Sequence, residues 1–257
     1  MRNDFSMTRL RGQAMVETIV VVFVTLLLLL GVIQFGLIYN AKTNLNYAAF
    51  EAARAGALNY ADRRAIEFAL ARGLAPLYTS IDPAADKDAN VEAVKAARDK
   101  VLEEIDGGEF VCIERLNPPV SAFGAGAHGI QVPAGSGQLF AGERLIPNDH
   151  LRYRSREPKQ DLSIQDANLL KLRVTYCYPM IVPIVSTAIQ RLTGTAPPTS
   201  ANVVVGESVG GPTYGSVKPA GGFQKNCYAK GRFPIVAQSI MRMQTPIRND
   251  IFPLSCS

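Results

Sequence analysis

The chain has 257 residues, with 27 Lys and Arg against 22 Asp and Glu, a net charge of +5 and a pI near 9.1. The excess is not clustered: Arg2, Arg9 and Arg11 against Asp4 place +2 in the first twelve residues, and the other +3 is spread over the 245 that follow. That distribution is too dilute for a nucleic-acid-binding surface, and no nucleic-acid partner is expected.

Residues 1–12 read as a basic cytoplasmic leader ending in Gly12. Gln13-Ala14-Met15-Val16-Glu17 follows, and then Thr18 to Ile38, 21 residues without a charge. At ~1.5 Å per helical residue that run is roughly 31 Å long, enough to cross a hydrocarbon core. A cleaved secretory signal has an apolar region of only ~7–15 residues before a small-x-small site. Here the run is longer, and Asn40-Ala41-Lys42-Thr43-Asn44 reads as a continuing helix. Basic residues flanking a membrane helix stay cytoplasmic, so everything after Tyr39 is expected outside, with membrane lipid among the partners.

Residues 39–58 contain no Pro and are rich in Ala, the best helix former. One helix over 13–58 is therefore expected. Ala41, Ala48, Ala52 and Ala55 share a face at helical spacing, and with Gly31 and Gly36 they form a stripe of small residues that lets helices approach closely. Asn59–Asp62 reads as a break. A second helix is expected from Asp62 to Leu77, with Ile66, Phe68, Ala69, Leu70 and Leu74 apolar. Asp82-Pro83 signals a third helix start, a capping Asp before Pro at the first turn. Val91, Val94, Ala97 (or Arg98), Val101, Leu102 and Ile105 give it one apolar face, and Gly107-Gly108 ends it.

The pattern then changes. Glu109–Leu116 alternates and stops at Pro118-Pro119, as a strand would. Leu169–Tyr178 alternates more clearly, with Leu170, Leu172, Val174, Tyr176 and Tyr178 on one face and Lys171, Arg173 and Thr175 on the other. Phe233–Gln244 is a third strand, with Ile235, Val236, Ile240, Met241 and Met243 inside. Helices followed by three strands predict an α+β fold: a long amino-terminal helix, further helices, then a small antiparallel sheet with long loops, residues 59–257 forming one external domain. The Gly- and Pro-rich stretches 118–165 and 193–230 read as surface excursions, and Ile181–Leu192 as a short apolar helix broken by Pro183.

Cys112, Cys177, Cys227 and Cys256 all fall on the external side, where disulfides persist. None forms a CxxC, so a zinc site is not expected, and three pairings are open. Gly124-Ala125-Gly126-Ala127-His128-Gly129 fits a phosphate-binding GxGxxG, but Pro118-Pro119 before it and Pro133 after it deny it the strand and helix that would hold a phosphate. His128 and His150 offer no metal or base pairing. Asp149-His150 near Ser155 lacks the geometry of a triad. Arg152, Arg154 and Arg156 around Tyr153 read as a solvated loop. No catalytic residue, metal or cofactor is expected, and no enzyme.

Gly12 and Glu17 carry the functional expectation. A Gly at a scissile bond admits the backbone to a tight peptidase site that a Cβ would obstruct. Cleavage after Gly12 leaves Gln13 with a free amine and Glu17 as the fifth residue. A carboxylate at the lip of a membrane helix is costly unless it finds a partner. In an assembly, Glu17 would pair with the terminal amine of a neighbouring subunit and set register.

Arg11-Gly12, Val16-Glu17, the Leu run, Gly31, Phe35-Gly36, Tyr39 and the Ala/Arg/Gly segment 48–57 resemble the amino terminus of TadE-like proteins, minor pilins or pseudopilins of tight-adherence (Tad/Flp) pilus systems. The resemblance covers roughly residues 9–60; Thr18 stands where such proteins commonly carry an aromatic. It implies cleavage between Gly12 and Gln13 by a prepilin peptidase and single-pass insertion in the bacterial inner membrane. It also implies partnership with other pilins and with Tad inner-membrane assembly proteins. The rival expectation is a membrane-anchored periplasmic binding or adhesive module that uses the helix only as a tether.

Overall fold

The computed structural model describes residues 10–79, 84, 86–135, 139–182 and 221–249, with the backbone alone at 10–14 and 221. The first element is a single helix, α1 (Leu10–Leu58), 49 residues long. At ~1.5 Å per residue it measures roughly 73 Å. It ends where the sequence breaks: the Ala61 N–H returns to Gly56 O at 2.9 Å across two residues of positive φ, Tyr60 and Ala61.

α2 (Arg63–Leu74) starts from Asp62, whose Oδ2 accepts the Ala65 N–H at 3.0 Å. Its ladder stops at Pro76, which has no N–H to give, and a 3-10 turn (Ala75–Leu77) completes the expected span. α2 runs back antiparallel to α1, with Ile66 beside Gly56 and Gly73 beside Ala48. Contact is close enough that a Cβ on Gly73 would lie 2.6 Å from Ala48 Cα. Of its apolar positions Phe68 is half exposed, beneath the Arg98 guanidinium.

α3 (Lys87–Asp106) begins later than Asp82-Pro83 implied. Asp86 caps it, accepting the Lys87 N–H at 2.7 Å, while Asp82 and Pro83 lie outside the described residues. Ala97, Val101 and Ile105 are buried, whereas Val91 and Val94 are exposed, because only the second half of α3 packs on the fold. Gly107 closes it as expected.

The remaining elements are β1 (Val111–Asn117), β2 (Ile130–Gln131), β3 (Arg144–Ile146), α4 (Ile164–Ala167), β4 (Leu169–Pro179), α5 (Gly221–Ala229), β5 (Arg232–Arg242) and β6 (Ile247–Arg248). β1, β4 and β5 form an antiparallel sheet in the order β1-β4-β5, the α+β arrangement expected. Two readings need correction. The stretch 118–165 is not a plain excursion: it contributes α4 and two strands of a second antiparallel sheet, β2-β3-β6, whose Ile146 and Ile247 are fully buried. Within 193–230, residues 221–229 are helical as α5. Two- and three-residue strands are too short to leave a periodic signal, so tertiary pairing decided them. Ile181 and Val182 are not helical, and the rest of the apolar helix expected at 181–192 lies outside the described residues.

The core lies between the first sheet and the α1–α2 pair. Leu170, Leu172, Val174 and Tyr176 of β4 face it, with Ile235, Ala237 and Ser239 of β5 alongside in register. Small residues on β5 let the Ala-rich helix sit close, and Lys42 Nζ ties the two by donating to Val236 O. Ile240, expected inside, points away and is half exposed. The far face of β4 is covered too: Thr175 and Cys177 are buried there, and the cross-strand pair Arg173–Glu114 forms a buried ion pair. Cys177 is bonded to Cys227 of α5, next to Phe223 and Cys112. This bond spans 50 residues, a loop whose closure stabilises the fold by roughly 4 kcal/mol in the chain-entropy picture. Cys112 is also disulfide-bonded; Cys256 lies outside the described residues.

Candidate assembly site

The expected site residues lie along α1, and the structure divides them into two groups. The backbone of Gly12 and Gln13 sits in the first turn of the helix. The first four N–H groups of any helix have no acceptor within it, so opening this turn breaks few hydrogen bonds. Glu17 stands one turn beyond Gln13, with its side chain exposed.

From Met15 to Ile33 most of the helix surface is bare. Among the described residues, one helix, Met15–Leu58, is long and apolar enough to cross a membrane, and its most apolar window has no buried residue. Leu28 is 66% exposed and Val32 71%. Thr25 does not disturb the run, because its hydroxyl donates to Val21 O at 2.8 Å within the helix. An added Cβ on Gly31 or Gly36 would meet nothing within 4 Å, so both glycines open outward.

The alanines behave differently. Ala41, Ala48 and Ala52 are buried inside the domain itself, and Ala55 is half-buried. Ala48 is the surface on which Gly73 rests. The small-residue stripe therefore continues in sequence but not in role: its glycines face outward and its alanines seat α2 and the sheet. The residues that sequence reasoning missed are Gln34 and Lys42, both turned toward the domain, and Gly73. Gln34 carried a signal, as the sole amide in the uncharged run.

The other titratable groups hold the fold. Tyr78, beyond α2, donates to Glu104 of α3 at 2.5 Å and shares a 2.8 Å hydrogen bond with Tyr176 of β4. Burial raises both hydroxyls above the ordinary tyrosine value, Tyr176 to about 12 and Tyr78 further. His128 is buried and donates through Nε2 to Leu162 O at 2.7 Å. Gly124–Gly129 forms a 3-10 exit and turns, with no helix behind it. Arg154 closes its own loop on Asp149 at 2.8 Å. No group of three His, Cys, Asp or Glu is placed to hold a metal among the described residues.

Residues 12–54 match the family model described as TadE-like protein. The match begins at Gly12 and follows α1 almost to its end, so the expected resemblance is borne out over that segment, about a sixth of the chain. No curated protein and no solved structure matches the chain. The amino-terminal helix is thus similar to that of TadE-like proteins, and it is long and apolar enough to cross a membrane.

Proposed function

We propose that this chain is a minor pilin (pseudopilin) of a Tad/Flp type IV pilus, processed by a prepilin peptidase and assembled through α1 in pilus biogenesis and adhesion. One observation carries the reading: a TadE-like helix whose second half already buries one face in its own domain while its first half offers bare apolar surface. Such a surface is stable only in lipid or against other apolar helices. The bilayer accepts it before assembly and neighbouring pilins accept it after.

Processing and register follow from the first two turns. Cleavage between Gly12 and Gln13 requires little unwinding, for the reason given above. The new Gln13 amine and the exposed Glu17 of an adjacent subunit then neutralise one another in an apolar bundle, which removes two costly charges together. A stagger that misaligns them leaves both unpaired, so the pair selects register. The domain lies on the periplasmic side of the inner membrane, where the Cys177–Cys227 disulfide is stable. Prepilin peptidase, other pilins and the Tad inner-membrane assembly proteins are the partners. The role is structural; the chain catalyses no reaction.

The decisive measurement is the mass of the mature amino terminus. A chain beginning at Gln13 is the expected result. An intact leader would leave a membrane-tethered periplasmic module instead. Glu17→Ala then tests register: membrane insertion should be normal and piliation lost, and a fully piliated variant would remove that role from Glu17.

A further inference from the structure

The uncharged run Thr18–Ile38 contains a single amide side chain, Gln34. Unlike its apolar neighbours it is fully buried. Its Oε1 accepts the backbone N–H of Val182 at 3.0 Å. That bond fixes how far the chain descends after β4. β4 runs antiparallel along α1: Leu170 lies at Gly56, and Val236, the strand partner of Thr175, lies at Lys42. Val182 continues the descent to Gln34. Gln34 is four residues from the end of the uncharged run, so at ~1.5 Å per residue Val182 lies about 6 Å inside it.

A backbone that enters hydrocarbon must leave no polar group unmet. The segment Pro179-Met180-Ile181-Val182 answers that demand in part, with the buried Gln34 Nε2 left without a partner. Pro179 has no N–H, Gln34 takes the N–H of Val182, and Ile181 turns outward, 66% exposed. No charge occurs anywhere from Val174 to Gln190. An amide in the anchor is otherwise a cost without a return; as the acceptor for a second segment it has a purpose.

We propose that the chain meets the bilayer twice: beside α1, the segment Pro179–Val182 is seated in the outer leaflet, Ile181 among the upper acyl carbons, with Gln34 as its bracket. The domain then stands on the membrane at two points and cannot swivel about a single helix. The proposal rests on α1 spanning the bilayer, and the test separates the two.

The chain has no tryptophan, so one can be introduced as the sole reporter. The full chain carrying Ile181→Trp is reconstituted in phosphatidylcholine vesicles at low protein density and quenched by brominated lipids or by aqueous iodide. Leu28→Trp, deep on α1, and Tyr153→Trp, on a loop 83% exposed, are the references. The Ile181→Trp reporter should be quenched several-fold more than the Tyr153→Trp reporter by bromine near the headgroup end of the acyl chain, and shielded from iodide. Leu28→Trp should respond to bromine at mid-chain. Equal iodide quenching of the 181 and 153 reporters, with Leu28→Trp still quenched by lipid, overturns the second contact and leaves the anchor standing. Loss of lipid quenching at Leu28→Trp overturns both. Shielding of the 181 reporter from both quenchers places it against protein instead of lipid and also overturns the proposal. Gln34→Leu added to Ile181→Trp should restore iodide access; an unchanged depth would remove Gln34 from the role. Retention of the Cys177–Cys227 cross-link verifies folding, and Pro179→Trp replaces the reporter if Ile181→Trp loses it.

Discussion

The two halves of α1 are one unbroken helix under opposite demands. From Met15 to Ile33 the side chains are mostly large and apolar and mostly exposed; from Gln34 to Leu58 one face carries a row of alanines sealed against α2 and the sheet. The first half is built of Leu, Val and Ile, which present wide surfaces to lipid or to another helix. The second is built of Ala, which presents little surface but permits close approach. A helix can thus be a stalk and a core element at once, provided the residue size changes where the role does.

The largest expected effect comes from truncating one leucine in each half. Leu45 is fully buried and Leu28 is exposed. Leu45→Ala should cost about 2–5 kcal/mol of domain stability. Leu28→Ala should stay within about 0.5 kcal/mol. Denaturant unfolding in detergent, read through the domain, compares them; equal costs would erase the division. A methyl group sharpens the contrast. Gly73→Ala forces a Cβ into the Ala48 backbone and should cost about 1–3 kcal/mol, whereas Gly31→Ala meets open space and should leave unfolding unchanged. If Gly31 serves packing between helices, its substitution will act on assembly alone, which pilus counts would register.

The smallest effect is alkaline. Tyr78 and Tyr176 keep their protons in the fold beyond the ordinary tyrosine value near 10. Their contribution is complete below about pH 10 and is lost as pH rises toward the folded value of about 12 for Tyr176. Lys171 works in the opposite sense, since burial and Arg173 hold it below its usual value. Melting temperature should fall between pH 10 and 12, and less steeply in Tyr78→Phe. An identical slope in that variant would dissociate the tyrosine pair from the effect.

Local chemistry made much of this legible in advance. The anchor run, the break at Asn59, the Asp62 cap, the closing Gly107 and the alternation of β4 are properties of short stretches, and each stands where the residues place it. The third helix was misplaced by four residues because two Asp residues both suit a cap, and Asp86 rather than Asp82 makes the described one. The small sheet β2-β3-β6 left no trace because its pairings join residues as distant as Leu145 and Arg248. The disulfide partners were open for the same reason, until β4 and α5 brought Cys177 to Cys227.

Composition and period alone determined that this chain has a membrane-length helix led by Gly12 and Glu17, and that an α+β domain follows. Those are local matters, fixed by apolar length and side-chain spacing. Which small residues face outward and which seat the fold was decided by the tertiary structure, and so was the meeting of Gln34 with Val182. The reason is geometric: a helix face has no inside until another element, distant in sequence, packs against it.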